Sequence, residues 1–323
     1  MAGACLPVSL ADVEDAARRL AGLAVRTPLL RLPLDDDVYV KPESLQRTGS
    51  FKFRGACNAL ASVPFSAIER GVVADSSGNH AQGVAAAAAL LGVPATIVMP
   101  ENAAPVKVAR TEALGAEIVR CANSSDERRR VAAEIRDARS LEYIPPFDDA
   151  RIIAGQGTVG LEIVADLPAV ATVVVCIGGG GLISGVATAV KALCPGARVI
   201  GVEPELAADA QQSLREGRIV SWPAADVTRT ICDGVRTQAL GELTFAIISA
   251  LVDEIVTVPE EAVLEAMRWL ALEAKLVVEP TGALALAALQ TGAVVADGPT
   301  VLVVSGGNVD PALAARVLAG ELP

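Results

Sequence analysis

Between residues 71 and 147 the chain repeats one local pattern: a glycine, a short β-branched run, a turn and an alanine-rich helix. The β-branched runs are Val72-Val73-Ala74, Ala95-Thr96-Ile97-Val98 and Glu117-Ile118-Val119. They are preceded by Gly71, Gly92 and Gly115, which suit helix ends that need positive φ. Strands separated by helices of this length cannot be hairpins, so the repeat predicts parallel βαβ units. A second block follows the same logic. It predicts helices over 151–167, 182–193, 260–275 and 281–289, with strands over 172–177, 198–202, 254–258 and 300–304. Hydrophobic residues are 52% of the chain but aromatics only 3%, so the core must be built from Ala, Val, Leu and Ile. That composition suits helices packed closely on parallel sheets. The expected fold is α/β, with two open, mainly parallel sheets and a cleft between them. Ligands in such folds sit at the carboxyl ends of the strands.

Composition also removes function classes. The net charge is −11 and no basic stripe interleaved with aromatics occurs, which argues against nucleic acid as a partner. Arg128-Arg129-Arg130 follows Ser124-Ser125-Asp126-Glu127 and predicts a solvated helix face behind a Ser124–Glu127 capping box. The six cysteines lack C-x-x-C spacing and the chain has one histidine, so a Cys/His zinc site is not expected. Scattered cysteines are read as packing residues in a reducing compartment, and the cytoplasm is the expected location. The start of the chain has no secretory pattern. The apolar stretch 83–99 is cut by Gly92-Val93-Pro94 and predicts helix, turn and strand, not a membrane span.

Four clusters fall in loops after strands or before helices. The first, Thr48-Gly49-Ser50-Phe51-Lys52-Phe53-Arg54-Gly55, places one of only five lysines between two phenylalanines. Apolar neighbours lower an ammonium pKa and favour the nucleophilic free amine. The second, Ser76-Ser77-Gly78-Asn79-His80, opens a helix whose N-terminal amides suit an anion such as an α-carboxylate. The lone His80 ring is itself read as structural. The third, Gly178-Gly179-Gly180-Gly181, lets backbone amides close on a phosphate at a helix start. It lacks the spacing of a dinucleotide site or a P-loop. The fourth, Ser305-Gly306-Gly307-Asn308, follows another buried strand.

Together these clusters resemble the fold-type II pyridoxal-phosphate enzymes, in the branch of threonine/serine dehydratases and serine racemase. The resemblance also covers Lys41-Pro42-Glu43, Ile153-Ala154-Gly155-Gln156-Gly157-Thr158 and Val278-Glu279-Pro280-Thr281-Gly282. It implies a tryptophan-synthase-β-like fold, with a large cofactor-binding domain over 1–64 and 150–323 and a small substrate-binding domain over 71–147. It also implies a homodimer. Lys52 would carry the Schiff base of pyridoxal 5'-phosphate and then act on the Cα proton. Gly178, Gly179, Gly180, Gly181 and Leu182 would hold the phosphate, Asn79 the phenolic oxygen, Phe51 the ring face and Ser305 the pyridine nitrogen. Ser76, Ser77, Asn79 and His80 would gather the substrate carboxylate. A hydroxyl at the pyridine nitrogen favours β-elimination over transamination. The implied activity is ammonia-lyase chemistry on L-serine, L-threonine or a relative, giving a 2-oxo acid and ammonia.

Two alternatives follow from Ser77, which matches racemases and threo-3-hydroxyaspartate dehydratases. A hydroxyl opposite Lys52 suits reprotonation from the far face. A non-catalytic binding protein on this fold is a third reading. The resemblance further implies Mg2+, or Ca2+ or Mn2+, on Glu203, the Ala207 carbonyl and Asp209, within Glu203-Pro204-Glu205-Leu206-Ala207-Ala208-Asp209. Cys232 stands where relatives usually show alanine and is read as packing. Arg236 is a candidate partner for a second substrate carboxylate. The chain extends 18 residues past Ser305, so an appended regulatory domain is not expected.

Overall fold

The computed structural model describes residues 6–34, 37–103 and 105–321; Cys5 and the first residues of the chain lie outside them. Among the described residues there are ten strands: β1 (Leu30–Arg31), β2 (Val38–Pro42), β3 (Val72–Asp75), β4 (Ala95–Pro100), β5 (Glu117–Cys121), β6 (Glu142–Tyr143), β7 (Thr172–Cys176), β8 (Arg198–Pro204), β9 (Glu254–Val258) and β10 (Thr300–Val304). They form a six-stranded sheet in the order β1-β2-β10-β7-β8-β9 and a four-stranded sheet in the order β5-β4-β3-β6. Every pairing is parallel except β1 with β2. The predicted βαβ organisation therefore holds, and each predicted strand lies inside an observed one or overruns it by a residue. β7 and β10 are buried along their whole length, as sheets covered by helices on both faces require.

The periodicity missed β1, β2 and β6. β1 and β6 have two residues each, too short for a pattern, and β2 carries a lysine and a proline. Gly71, Gly92 and Gly115 all take positive φ, and Gly92 caps the Asn79–Leu91 helix. The stretch 83–99 is helix, turn and strand. The helix expected over 260–275 ends at Leu272, because Lys275 sits in the left-handed region at φ 60.

The capping box forms only in part. Ser124 accepts from the Glu127 N–H, but the Glu127 carboxylate turns outward to Arg130. Nor is the arginine run a uniform solvated face. Arg129 and Arg130 are exposed, whereas Arg128 is half-buried and borders the cleft.

A buried ionic cluster explains the Lys41-Pro42-Glu43 stretch. Arg54 reaches Glu43 at 2.7 Å and Glu162 at 2.6 Å, while Lys41 reaches Glu162 at 2.6 Å and the Thr27 carbonyl at 2.6 Å. Thr27 donates to Glu43 at 2.7 Å. Two cations and two carboxylates cancel, which is the condition for tolerating such charges out of water. Removing one partner costs about 3–5 kcal/mol.

Candidate active site

A cavity of about 660 Å³ opens between the sheets, at the carboxyl ends of β3, β7 and β10. Its walls bring together Phe51, Lys52, Ser76–His80, Gly178–Leu182 and Ser305. Segments spread from Phe51 to Ser305 thus share one space. Glu203, Ala207 and Asp209 are not among the lining residues.

Lys52 opens the Lys52–Ala61 helix. Its Nζ donates to the Pro146 carbonyl at 2.6 Å and stands 5.3 Å from the centre of the Phe51 ring. Burial pushes the ammonium down to about 8, against a small opposing pull from Cys176. The free amine is therefore reachable near neutral pH. Sequence reasoning credited both phenylalanines with this desolvation. The Phe51 ring is the one that lies against the amine. Phe53 turns into the apolar cluster beneath the four-stranded sheet. The Phe51 N–H donates to the Ser305 carbonyl at 3.1 Å, which ties the lysine segment to the end of β10.

The loop after β3 presents side chains. Ser76 Oγ accepts from the Gly78 N–H at 3.2 Å, which folds the loop back over the start of the Asn79–Leu91 helix. Asn79 is held from two sides: its Nδ2 donates to Glu279 at 2.7 Å, and its Oδ1 accepts from Asn308 Nδ2 at 2.8 Å. The amide keeps a second N–H beyond these two bonds, and Asn79 lines the cavity. His80 is buried with Nε2 2.9 Å from the Ile144 carbonyl. Burial, then the nearby Lys52 charge, pushes its pKa down to about 3, so the ring is neutral and donates to that carbonyl. The structural reading of the ring agrees with this placement.

The loop after β7 presents backbone. Gly180 takes φ +89 as the N-cap of the Gly181–Leu193 helix. A Cβ on Gly179 would lie 2.3 Å from the Phe147 ring, and one on Gly180 would lie 2.8 Å from Ile248. Four glycines exceed what a turn needs because the loop is pressed between neighbours on both sides. The helix N-terminus it opens favours an anion.

Ser305 is buried, and its Oγ makes no hydrogen bond of ordinary geometry among the described residues. The Cys176 thiol lies beside it, pushed up to about 11 chiefly by burial. A buried hydroxyl facing a cavity without a partner is expected where a ligand supplies one.

The residue that sequence reasoning did not single out is Glu279. It is buried, lines the cavity and holds Asn79. Burial, then the charge of Asp233, pushes its carboxyl up to about 7. The available signal was an acidic residue in an otherwise apolar stretch at the start of the Pro280–Gln290 helix. Arg236 borders the cavity, but its Nε donates to the Thr230 carbonyl at 3.0 Å and so turns that edge of the guanidinium away from a substrate. Cys232 is fully buried and sits in the core, as a packing residue does.

Glu203, Ala207 and Asp209 gather at the end of β8. The Glu203 carboxylate accepts from the Ala210 and Gln211 N–H groups at 3.0 and 2.7 Å. Asp209 Oδ2 is buried without a hydrogen-bond partner among the described residues. Burial raises both carboxyls, Asp209 to about 7, and the Asp209 charge adds to the rise at Glu203. Two neighbouring carboxylates with an unpartnered oxygen suit a hard cation. Among the described residues no cluster of three or more His, Cys, Asp or Glu side chains is poised for a metal, so a cation here would need backbone oxygen and water.

The family model described as pyridoxal-phosphate dependent enzyme matches residues 20–306. The L-threonine ammonia-lyase of Geobacter sulfurreducens is 46% identical over 94% of this chain and 76% of its own length. The L-threo-3-hydroxyaspartate ammonia-lyase of Saccharomyces cerevisiae is 42% identical over 96% of each. Among solved structures, maize serine racemase superposes with a TM-score of 0.91 at 36% identity, covering 97% of this chain and 98% of that one. No helix among the described residues is long and apolar enough to cross a membrane.

Proposed function

The chain belongs to the pyridoxal-phosphate-dependent enzymes of fold type II, and from that premise we propose that it is an ammonia-lyase converting L-serine, L-threonine or a related hydroxy amino acid to a 2-oxo acid and ammonia. The observation that carries this reading is the meeting, in one cavity, of the Lys52 amine, a glycine-built helix N-terminus and the buried, neutral Ser305 hydroxyl. These groups fit pyridoxal phosphate: an amine for its aldehyde, backbone amides for its phosphate and a neutral hydroxyl for its ring nitrogen. Phe51 would pack on the ring, Asn79 would donate to the phenolic oxygen, and the amides of Gly178, Gly179, Gly180, Gly181 and Leu182 would take the phosphate. When bound, the cofactor supplies a conjugated system that withdraws electrons from the Cα of an attached amino acid.

The protein's own groups then divide the work. Ser76, Ser77, Asn79 and His80 receive the substrate carboxylate at the start of the Asn79–Leu91 helix. Lys52, with its pKa near 8, takes the Cα proton as a neutral amine. Ser305 bears no charge and does not hold a proton on the ring nitrogen. Charge arising at Cα is then relieved by loss of the β-hydroxyl, which leaves as water with a proton. The released enamine tautomerises to an imine, and hydrolysis of that imine takes up one water, equivalent to the one expelled, to give the 2-oxo acid and ammonia. A second reading is favoured by Ser77, which lines the same cavity as Lys52. From the face opposite the lysine its hydroxyl would return a proton to Cα, giving serine racemisation.

The reading extends to organisation. Residues 71–147, which contain the four-stranded sheet, form the substrate-holding unit; 1–64 and 150–323 form the cofactor-holding unit. Mg2+, or Ca2+ or Mn2+, would bind Glu203, Asp209 and the Ala207 carbonyl, a reading supported by the unpartnered Asp209 oxygen. A homodimer in the cytoplasm completes the proposal, and buried free thiols suit that compartment.

One experiment tests the core. The holoenzyme is reduced with borohydride and mapped, then assayed on L-serine, L-threonine and L-threo-3-hydroxyaspartate with Mg2+ or with chelator, using chiral product analysis. Pyridoxyl on Lys52 and 2-oxo acid with ammonia are expected, with activity falling in chelator. Label on Lys41, Lys107, Lys191 or Lys275 would overturn the assignment, and D-serine as main product would transfer it to the racemase reading.

A further inference from the structure

We propose that Gly83, Gly155 and Gln156 are positioning residues for Lys52, clamping the first turn of its helix from two sides so that the amine stands at a fixed height between the Ser76–His80 loop and the glycine loop. The proposal rests on the reading of Lys52 as the cofactor-bearing lysine.

The Lys52–Ala61 helix has no cap of its own. Phe51 precedes it in helical conformation and offers no side-chain hydrogen bond to its free amides. Such an end is prone to fray. Here the Gly55 N–H is taken by Gln156 Oε1 at 3.1 Å, from the Ala150–Asp166 helix. Gln156 is 1% exposed, so this contact is made in a dry interior where an unpaired amide is costly.

Two glycines complete the clamp. Gly83 lies one turn after Asn79 in the Asn79–Leu91 helix. A Cβ there would come within 3.0 Å of the Lys52 carbonyl carbon and 3.2 Å of both the Lys52 oxygen and the Phe53 nitrogen. From another helix, a Cβ on Gly155 would fall 2.7 Å from Gly55 Cα and 2.8 Å from the Arg54 oxygen. Backbone therefore meets backbone at both contacts, and no rotamer change can absorb a shift. The Ala150–Asp166 helix repeats this contact towards the glycine loop: a Cβ on Gly185 would lie 2.3 Å from the Ile153 oxygen and 2.4 Å from the Gly157 nitrogen. The same helix thus spaces the Lys52 helix from the helix that opens at Gly181. The stretch Ile153 to Thr158 acquires a role, although none of its residues lines the cavity.

Mere packing glycines would change stability alone, so the test reads the lysine. In the apoprotein, labelling of Lys52 by trinitrobenzenesulfonate is followed against pH by peptide mapping, and pyridoxal phosphate affinity is measured by titration. Variants are Gly83→Ala, Gly155→Ala and Gln156→Leu. Val13→Ala serves as the control, since Val13 packs on Gly157 in an apolar cluster separate from the one that holds Phe53 and the Lys52 helix. Burial holds Lys52 near 8 in the wild type. Displacing its backbone admits water, so the labelling midpoint should move up towards that of a free lysine in all three variants. Affinity for pyridoxal phosphate should weaken about tenfold or more, since small misplacements of a reacting group are costly. Val13→Ala should lower the melting temperature and leave both readouts in place. If Gly155→Ala does not fold, Gly83→Ala, with its milder contacts, decides the matter. An unmoved midpoint and affinity in Gly83→Ala and Gln156→Leu, alongside a fall in melting temperature like that of Val13→Ala, would overturn the clamp. Wild-type borohydride label on another lysine would instead overturn the premise, so the two failures are separable.

Discussion

The loops after β3 and β7 occupy equivalent places in the two sheets. Each follows a parallel strand, opens a helix and lines the same cavity. They are built in opposite ways. Ser76–His80 presents hydroxyl and amide side chains, with Asn79 pinned between Glu279 and Asn308. Gly178–Gly181 presents only backbone, and its missing side chains leave room filled by Phe147, Thr244 and Ile248. Both positions offer an anion the same helix N-terminus, so what distinguishes them is the side chains. A backbone cradle is rigid and indifferent to what lies beyond the anion. A side-chain cradle can exchange protons and discriminate among substrates.

The largest effect that would break this contrast is expected from Gly179→Ala. Its Cβ would fall 2.3–2.5 Å from carbons of the Phe147 ring, so the loop or the ring must move. Affinity for pyridoxal phosphate should drop about a hundredfold, read by fluorescence titration; unchanged affinity would mean that the loop does not cradle the phosphate. On the other loop, Ser77→Ala should leave cofactor affinity intact. It should lower racemisation of L-serine by about a hundredfold or more while elimination falls less, the usual scale for losing a general acid. Equal losses in both reactions would remove Ser77 from proton transfer.

The smallest effect concerns stability. His80 has its pKa held near 3 in the fold, against 6.5 in a model peptide. Between these values the unfolded chain binds the proton and the folded chain does not, so this residue destabilises the protein as pH falls from about 6.5 to 3. Glu279 acts in the opposite direction, because its carboxyl is raised to about 7 and its contribution fades as pH rises from about 4.5. His80→Gln should therefore remove this acid-side loss, so the difference in denaturation midpoint between variant and wild type should change as pH falls from about 6.5 to 3. A difference independent of pH over that window would show that His80 is not the neutral buried ring described above.

Much of the site was legible because its parts leave local marks. The glycine run and the Ser76–His80 segment each sit beside a strand end that periodicity located, and Lys52 is marked by being one of five lysines, set between two phenylalanines. Glu279 lay within a stretch that carries the family resemblance, but its role was not legible, since nothing local marks one acidic residue at a helix start as buried. Its burial and its bond to Asn79, 200 positions away, are consequences of how the two sheets face one another. Arg128 was misread for a related reason: helical periodicity gives a face but not what stands opposite it. The capping box failed in half because Glu127 had a competing partner in Arg130 one turn on.

By itself the sequence determined the parallel α/β architecture, the strand ends at which chemistry would gather and the residue types available there. Periodicity and glycine placement are local properties, and local properties suffice for those conclusions. Only the tertiary structure decided which face of the Lys52 helix meets the cleft, how low the amine's pKa is driven, that Asn79 is pinned between Glu279 and Asn308 and that Ser305 is buried beside the Cys176 thiol. Each of these depends on what surrounds a group in three dimensions: burial sets the desolvation, and neighbours from distant segments occupy or leave open the hydrogen-bonding positions.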